Sequence, residues 1–301
     1  MEHTYHQPGK IYFYYSIRHQ AARLSKRGIR SLTYQAHQLV RLTLGENTTP
    51  HADHLVQWMA MSSTHITIAF LAGLIPALFW LWFWLREDRA KPEPLLLIIT
   101  TFLAGMAVVP LALPLQKLAM EYFAGNDLLF VWVIIEETLK YAVAVLIIFW
   151  NKVVDEPIDM VIYMIAIALG FAALENALFI LNPLEMRDYL NGTLTGLFRF
   201  LGASLLHVLA SGTVGVMLAL AFYKSESLKM LYGMIGLFMA IVLHALFNFF
   251  IMSANGEMIL AVFLFVWFGI IVLFLMLEKI KLLEVRQQAN QDTSLWKNHH
   301  F

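Results

Sequence analysis

Long apolar runs separated by short polar stretches dominate the chain from about residue 66 onward. Roughly 20 apolar residues in a helix rising about 1.5 Å per residue cross the hydrocarbon of a bilayer. About seven such runs occur, near 66–85, 95–115, 128–150, 159–181, 196–223, 229–252 and 258–277. The pattern predicts an all-α fold, a polytopic transmembrane helix bundle of about seven spans, with a re-entrant or eighth segment as the variant. Residues 1–63 read differently: they are polar and basic, without the early apolar core of a cleavable signal peptide. Within this arm Ile29, Leu32, Ala36, Leu39, Val40 and Thr43 recur at helical spacing between Arg30, Gln38 and Arg41. They predict an amphipathic helix on the membrane surface; a poorly ordered tail accounts for the same pattern. The expected organisation is therefore an arm (1–63), a transmembrane bundle (64–278) and a polar C-terminal tail (279–301).

Composition supports this reading. Of 301 residues, 59% are hydrophobic and 14% charged, too apolar for an ordinary soluble domain. The formal net charge is zero, which gives no reason to expect a nucleic-acid partner. The absence of cysteine excludes disulfides, thiolate ligands and a cysteine nucleophile.

The distribution of ionisable residues within the spans is what points to chemistry. A charge at mid-membrane costs about 2.5–3.5 kcal/mol on insertion scales and is a functional hypothesis by default. The first, second and seventh spans have none in their interiors. The third holds Glu136, Glu137 and Lys140, the fourth Glu175, the fifth Arg199 and His207, and the sixth His244. With alternating helix directions and about 1.5 Å per residue, Glu136, Glu137, Glu175, His207 and His244 fall in one layer. That layer is displaced toward the side from which the first span enters. Four helices can thus build one polar chamber. Lys140 lies one turn from both glutamates and can neutralise a carboxylate from the same helix surface. His244 with Asn248, and His207 with Ser211, are spaced one turn apart.

Four stretches, "EETLK" (136–140), "GFAALENALF" (170–179), "LHVLASGTVG" (206–215) and "HALFNF" (244–249), resemble in order the motifs of the PrsW family of intramembrane proteases. The "DRAKPEP" hairpin (88–94) is similar too. The resemblance covers roughly residues 66–252 and implies cleavage of a membrane-anchored protein, as in release of a sigma factor from its membrane anti-sigma factor. It also implies residence in a bacterial cytoplasmic membrane. Carried over by position, the motif residues are Glu136, Glu137, Lys140, Glu175, Asn176, His207, His244 and Asn248. The expected partners are the substrate protein and the lipid bilayer.

Two mechanisms fit these residues. In the first, which is favoured and needs no cofactor, Glu137 deprotonates water, His244 and Asn248 stabilise the oxyanion, and His207 positions the water or leaving group. In the second, His207, His244 and Glu175 bind Zn²⁺ while Glu137 acts as base; no HExxH sequence is present. Each residue also has a structural reading: Glu136 with Lys140 as an intramembrane ion pair, Glu175 and Asn176 as links between helices. Arg199 reads as an interfacial side chain that snorkels, and "FWLWFWL" (79–85) as an aromatic belt. Rival functions are a Ser211–His244 dyad, a proton-coupled transporter, for which no inverted repeat is visible, and a non-catalytic scaffold. Basic residues in short loops favour a cytoplasmic location for the 86–91, 152, 224–229 and 279–281 end, opposed by the basic arm.

Overall fold

The computed structural model describes residues 50–87, 91–186, 188–253 and 258–300. The expected surface helix around residues 29–43 lies outside them. Among the described residues there are only helices and their connections. We label them α1 (Pro50–Leu85), α2 (Leu95–Tyr122), α3 (Gly125–Ile147), α4 (Pro157–Glu185), α5 (Tyr189–Phe198), a π-helical turn (Arg199–Ala203), α6 (Ser204–Leu220), α7 (Glu226–Ser253) and α8 (Ile259–His300).

Among the described residues six spans are long and apolar enough to cross a membrane: Ser63–Leu85, Leu95–Tyr122, Pro157–Glu185, Tyr189–Leu220, Glu226–Ile251 and Ile259–Leu283. The fifth span starts earlier than its apolar run, because α5, the π turn and α6 are continuous from Tyr189. The remaining helix, α3, has 23 residues and thus the length to cross, but carries Asp127, Glu136, Glu137 and Lys140. Helix α8 continues through the stretch expected as a polar tail.

The helices α4 and α5–α6 form the centre. In their most apolar windows 72% and 83% of residues are buried, against 22–39% for the other spans. This contrast separates an inner pair from helices whose outer faces are left for lipid. Close approach around α4 depends on glycine. A Cβ on Gly105 of α2 would lie 2.0 Å from the Ile167 carbonyl oxygen, and one on Gly170 of α4 would lie 1.9 Å from that of Phe102. Backbone contact of this kind is how small residues hold helices together where lipid removes the hydrophobic drive.

Local signals define the ends. The α2–α3 connection is short, and its turn uses Gly125 at φ 58°, a backbone region open to glycine. Helix α4 starts at Pro157 behind a capping box of Glu156 and Asp159. At the same end Lys91 pairs with Asp155 at 2.7 Å and Glu156 at 3.0 Å. Lys281 of α8 reaches Glu87 at 3.1 Å, which puts this turn of α8 beside the C-terminal end of α1. The expected aromatic belt is split: Trp80 and Trp84 are buried, Trp84 stacking on Phe274 at 4.6 Å, while Trp82 faces out.

Candidate active site

The charged residues of α3, α4, α6 and α7 converge on one buried cluster. One turn of α3 supplies Glu136, Glu137 and Lys140, all buried, because spacings of three and four residues share a helix face. Lys140 Nζ donates to Glu137 Oε1 at 2.5 Å and lies 3.3 Å from His207 Nδ1. It also stands 4.5 Å above the Phe171 ring. The opposite nitrogen of His207, Nε2, is 3.0 Å from Glu175 Oε2. An ammonium only donates and a carboxylate only accepts. These partners therefore assign the ring hydrogen to Nε2, directed at Glu175, and leave the Nδ1 lone pair facing the cluster centre.

His244 completes the group. Its Nδ1 is 2.7 Å from Glu137 Oε1, its Nε2 3.9 Å from Glu136 Oε2, and its ring packs edge-on to His207 at 5.0 Å. Glu136 is held on one side only: Gln116 Nε2 of α2 donates to its Oε1 at 2.8 Å, while Oε2 is buried without a hydrogen-bond partner. A buried oxygen without a hydrogen-bond partner is costly, roughly 1–3 kcal/mol.

The other expected residues separate by role. Asn176 is committed, donating to Ser204 Oγ at 2.9 Å and accepting from Arg199 Nε at 2.5 Å. Asn248 is partly exposed one turn beyond His244, with no side-chain hydrogen bond among the described residues. Ser211 Oγ is buried and unbonded, so it forms no dyad with His244. Two participants escaped the sequence reading. Gln116 lies just past the apolar run of the second span, and its only signal was a lone amide ahead of helix residues that continue to Tyr122. Arg199 turns inward, where it pairs with Glu175, instead of snorkelling to the interface.

A layer of this composition inside a helical membrane bundle has the groups that a membrane-embedded hydrolase needs, a buried carboxylate and two imidazoles within reach of one another. The chain belongs to the PrsW family of intramembrane metalloproteases, whose model matches residues 93–276, more than half of its length. It is similar to "Protease PrsW" of Clostridioides difficile (strain 630), 29% identical over 192 residues covering 61% of this chain and 79% of that protein. "Protease PrsW" of Bacillus subtilis (strain 168) is 24% identical over 208 residues, 66% of this chain and 91% of that one. No solved structure matches the chain significantly. It is thus an intramembrane protease and an integral protein of the bacterial cytoplasmic membrane.

The residues fit a metal ion. Glu137, His207 and His244, all buried, offer donor atoms within 4.8 Å of one another. Two imidazoles and a carboxylate suit Zn²⁺, and an ammonium already lies against two of the three. This donor group contains Glu137 where the expected set had Glu175, which lies on the far nitrogen of His207. The Glu136 oxygen beside them, 3.9 Å from His244 Nε2, has no hydrogen-bond partner.

Proposed function

We propose that this site hydrolyses a peptide bond of a membrane-anchored protein, with Glu136 as the base toward water and Glu137, His207 and His244 as the residues that would hold a metal ion. The observation that carries the assignment is the free, buried Oε2 of Glu136 beside that donor group. Glu137, the base in both mechanisms expected from the sequence, has its Oε1 committed to Lys140 and His244. A divalent ion, when bound, supplies Lewis acidity toward a carbonyl and toward water.

The chain's own residues do the rest. Gln116 fixes one oxygen of Glu136 and leaves the other for a proton. Glu175 holds His207 through Nε2 and keeps its Nδ1 available, the outer-shell function of a carboxylate behind a histidine. Lys140 offsets the carboxylate charge. Asn248, one turn beyond His244, would donate to an oxyanion. The substrate class follows the motif resemblance: a protein such as a membrane anti-sigma factor, cut to release its soluble partner.

The test compares new protein N-termini by mass spectrometry in membranes of cells making the wild type, Glu136→Gln or Glu137→Gln at matched levels. Ends that require both glutamates support the reading and name a substrate. Activity and metal content are then followed through exhaustive chelation and zinc return. Full cleavage by a metal-free preparation overturns the metal assignment, and wild-type ends from both variants overturn the site.

A further inference from the structure

We infer that Arg199, presented by the π-helical turn, is a positioning residue that holds His207 through Glu175; this rests on the metal-site reading above. The observations begin with the backbone. A π turn inserts an extra residue into an otherwise α-helical span, re-aims the side chains around it and is frequent at functional sites. Here it occupies Arg199–Ala203, directly ahead of the helix that carries His207.

The turn is built in. Trp80 Nε1 of α1 donates to the Phe200 carbonyl oxygen at 3.3 Å, the Trp80 and Phe200 rings lie 5.6 Å apart, and the Phe200 and Phe79 rings 6.1 Å apart. A Cβ on Gly202 would lie 2.4 Å from Phe263 of α8, so the turn is also packed from the opposite neighbour.

The guanidinium has three partners on one helix. It forms an ion pair with Glu175, donates from Nε to Asn176 Oδ1 at 2.5 Å, and lies 3.9 Å above the Phe179 ring. Asn176 in turn donates to Ser204 on the first turn of α6. Only a planar fork with several donors can satisfy adjacent residues while stacking on a third; an ammonium cannot. The same Glu175 oxygen, Oε2, that meets Arg199 also faces His207 Nε2. Arg199 therefore fixes the rotamer of Glu175, and Glu175 fixes the tautomer and ring plane of His207. The two side chains are 16% and 17% exposed against 2% for His207, which places them as the outer wall of the site and not its centre.

The test uses the full-length protein in detergent, with Co²⁺ as probe and its d–d absorption as readout, and thermal unfolding as the control for folding. Outer-shell partners of metal-binding histidines typically contribute 10–100-fold in affinity. Arg199→Ala and Glu175→Ala should each weaken Co²⁺ binding by about tenfold or more. The double variant should be no weaker than Glu175→Ala, because both act through one carboxylate, and Arg199→Lys should fall between. Wild-type affinity in a folded Arg199→Ala protein overturns the inference. So do losses that multiply in the double variant, since Arg199 would then act by another route. If Arg199→Ala does not fold, Arg199→Lys carries the comparison, and wild-type affinity there overturns the need for a fork. Absence of Co²⁺ binding by the wild type is a distinct result: it removes the metal reading itself, and the inference with it.

Discussion

Replacing Glu136 by Gln separates the chemistry of this residue from its place in the fold, because the substitution keeps the shape and the bond from Gln116 and removes the base. The side chain is 7% exposed, one oxygen accepts from Gln116 at 2.8 Å, and the other has no partner. Glutamine is isosteric, keeps an oxygen for Gln116 and puts a neutral amide NH2 where the unpaired oxygen stands, exchanging one buried polar group without a partner, at about 1–3 kcal/mol, for another. Folding should therefore hold, with Tm unchanged to within a few degrees, since about 1 kcal/mol corresponds to about 2 °C in a chain of this size. The amide cannot take a proton from water, and loss of a general base costs about 10²–10⁴-fold in rate. The assay is cleavage of the substrate named by the N-terminal survey, in parallel with thermal unfolding of the same preparation. Wild-type turnover in a folded Glu136→Gln protein refutes the assignment of the base. A marked fall in Tm also refutes the reasoning, because Glu136 would then be a structural group whose partners we have misjudged.

Other consequences are as direct. Alanine at Gly105 or Gly170 puts a methyl about 2 Å from a backbone carbonyl of the facing helix, and such overpacking should cost about 1–3 kcal/mol or more, read as a lower Tm. Asn248→Ala should fold normally and lose about 10²–10³-fold in kcat, the usual loss for one oxyanion donor; an unchanged kcat removes Asn248 from the site. Lys91 has its pKa raised by hydrogen bonds to Asp155 and Glu156. Its contribution is thus present below the ordinary lysine value of about 10.4 and lost as pH rises through the higher folded value. Because Lys91 and Asp155 are more than half exposed, Lys91→Met at neutral pH should cost under about 1 kcal/mol and less in high salt. A C-terminal tag should be cytoplasmic, on the side of Arg86, Lys91 and Lys281; external labelling of it reverses the orientation.

The helical class and the membrane location were legible in the sequence because both rest on local quantities, the length of each apolar run and its charge. The same holds for the membership of the polar layer: Glu136, Glu137, Glu175, His207 and His244 stand out because hydrocarbon makes every charge in a span conspicuous, and helical rise assigns each a depth. Which groups touch is not local. Adjacent in sequence and alike in chemistry, Glu136 and Glu137 are distinguished only by what other helices bring, Gln116 from α2 on one side and His244 from α7 on the other. That contrast is the ground on which we propose Glu136 as the base, and the position of Glu175 behind His207 the ground on which we propose Glu137 as the metal ligand. Arg199 read as an interfacial residue because apolarity marks no π turn; the fold directs it inward, where a carboxylate, an amide and an aromatic ring match its guanidinium. Composition and spacing decide which groups enter the membrane, since each group bears its desolvation cost on its own helix. Tertiary packing decides which become base, ligand or support, since those roles depend on partners contributed by other helices.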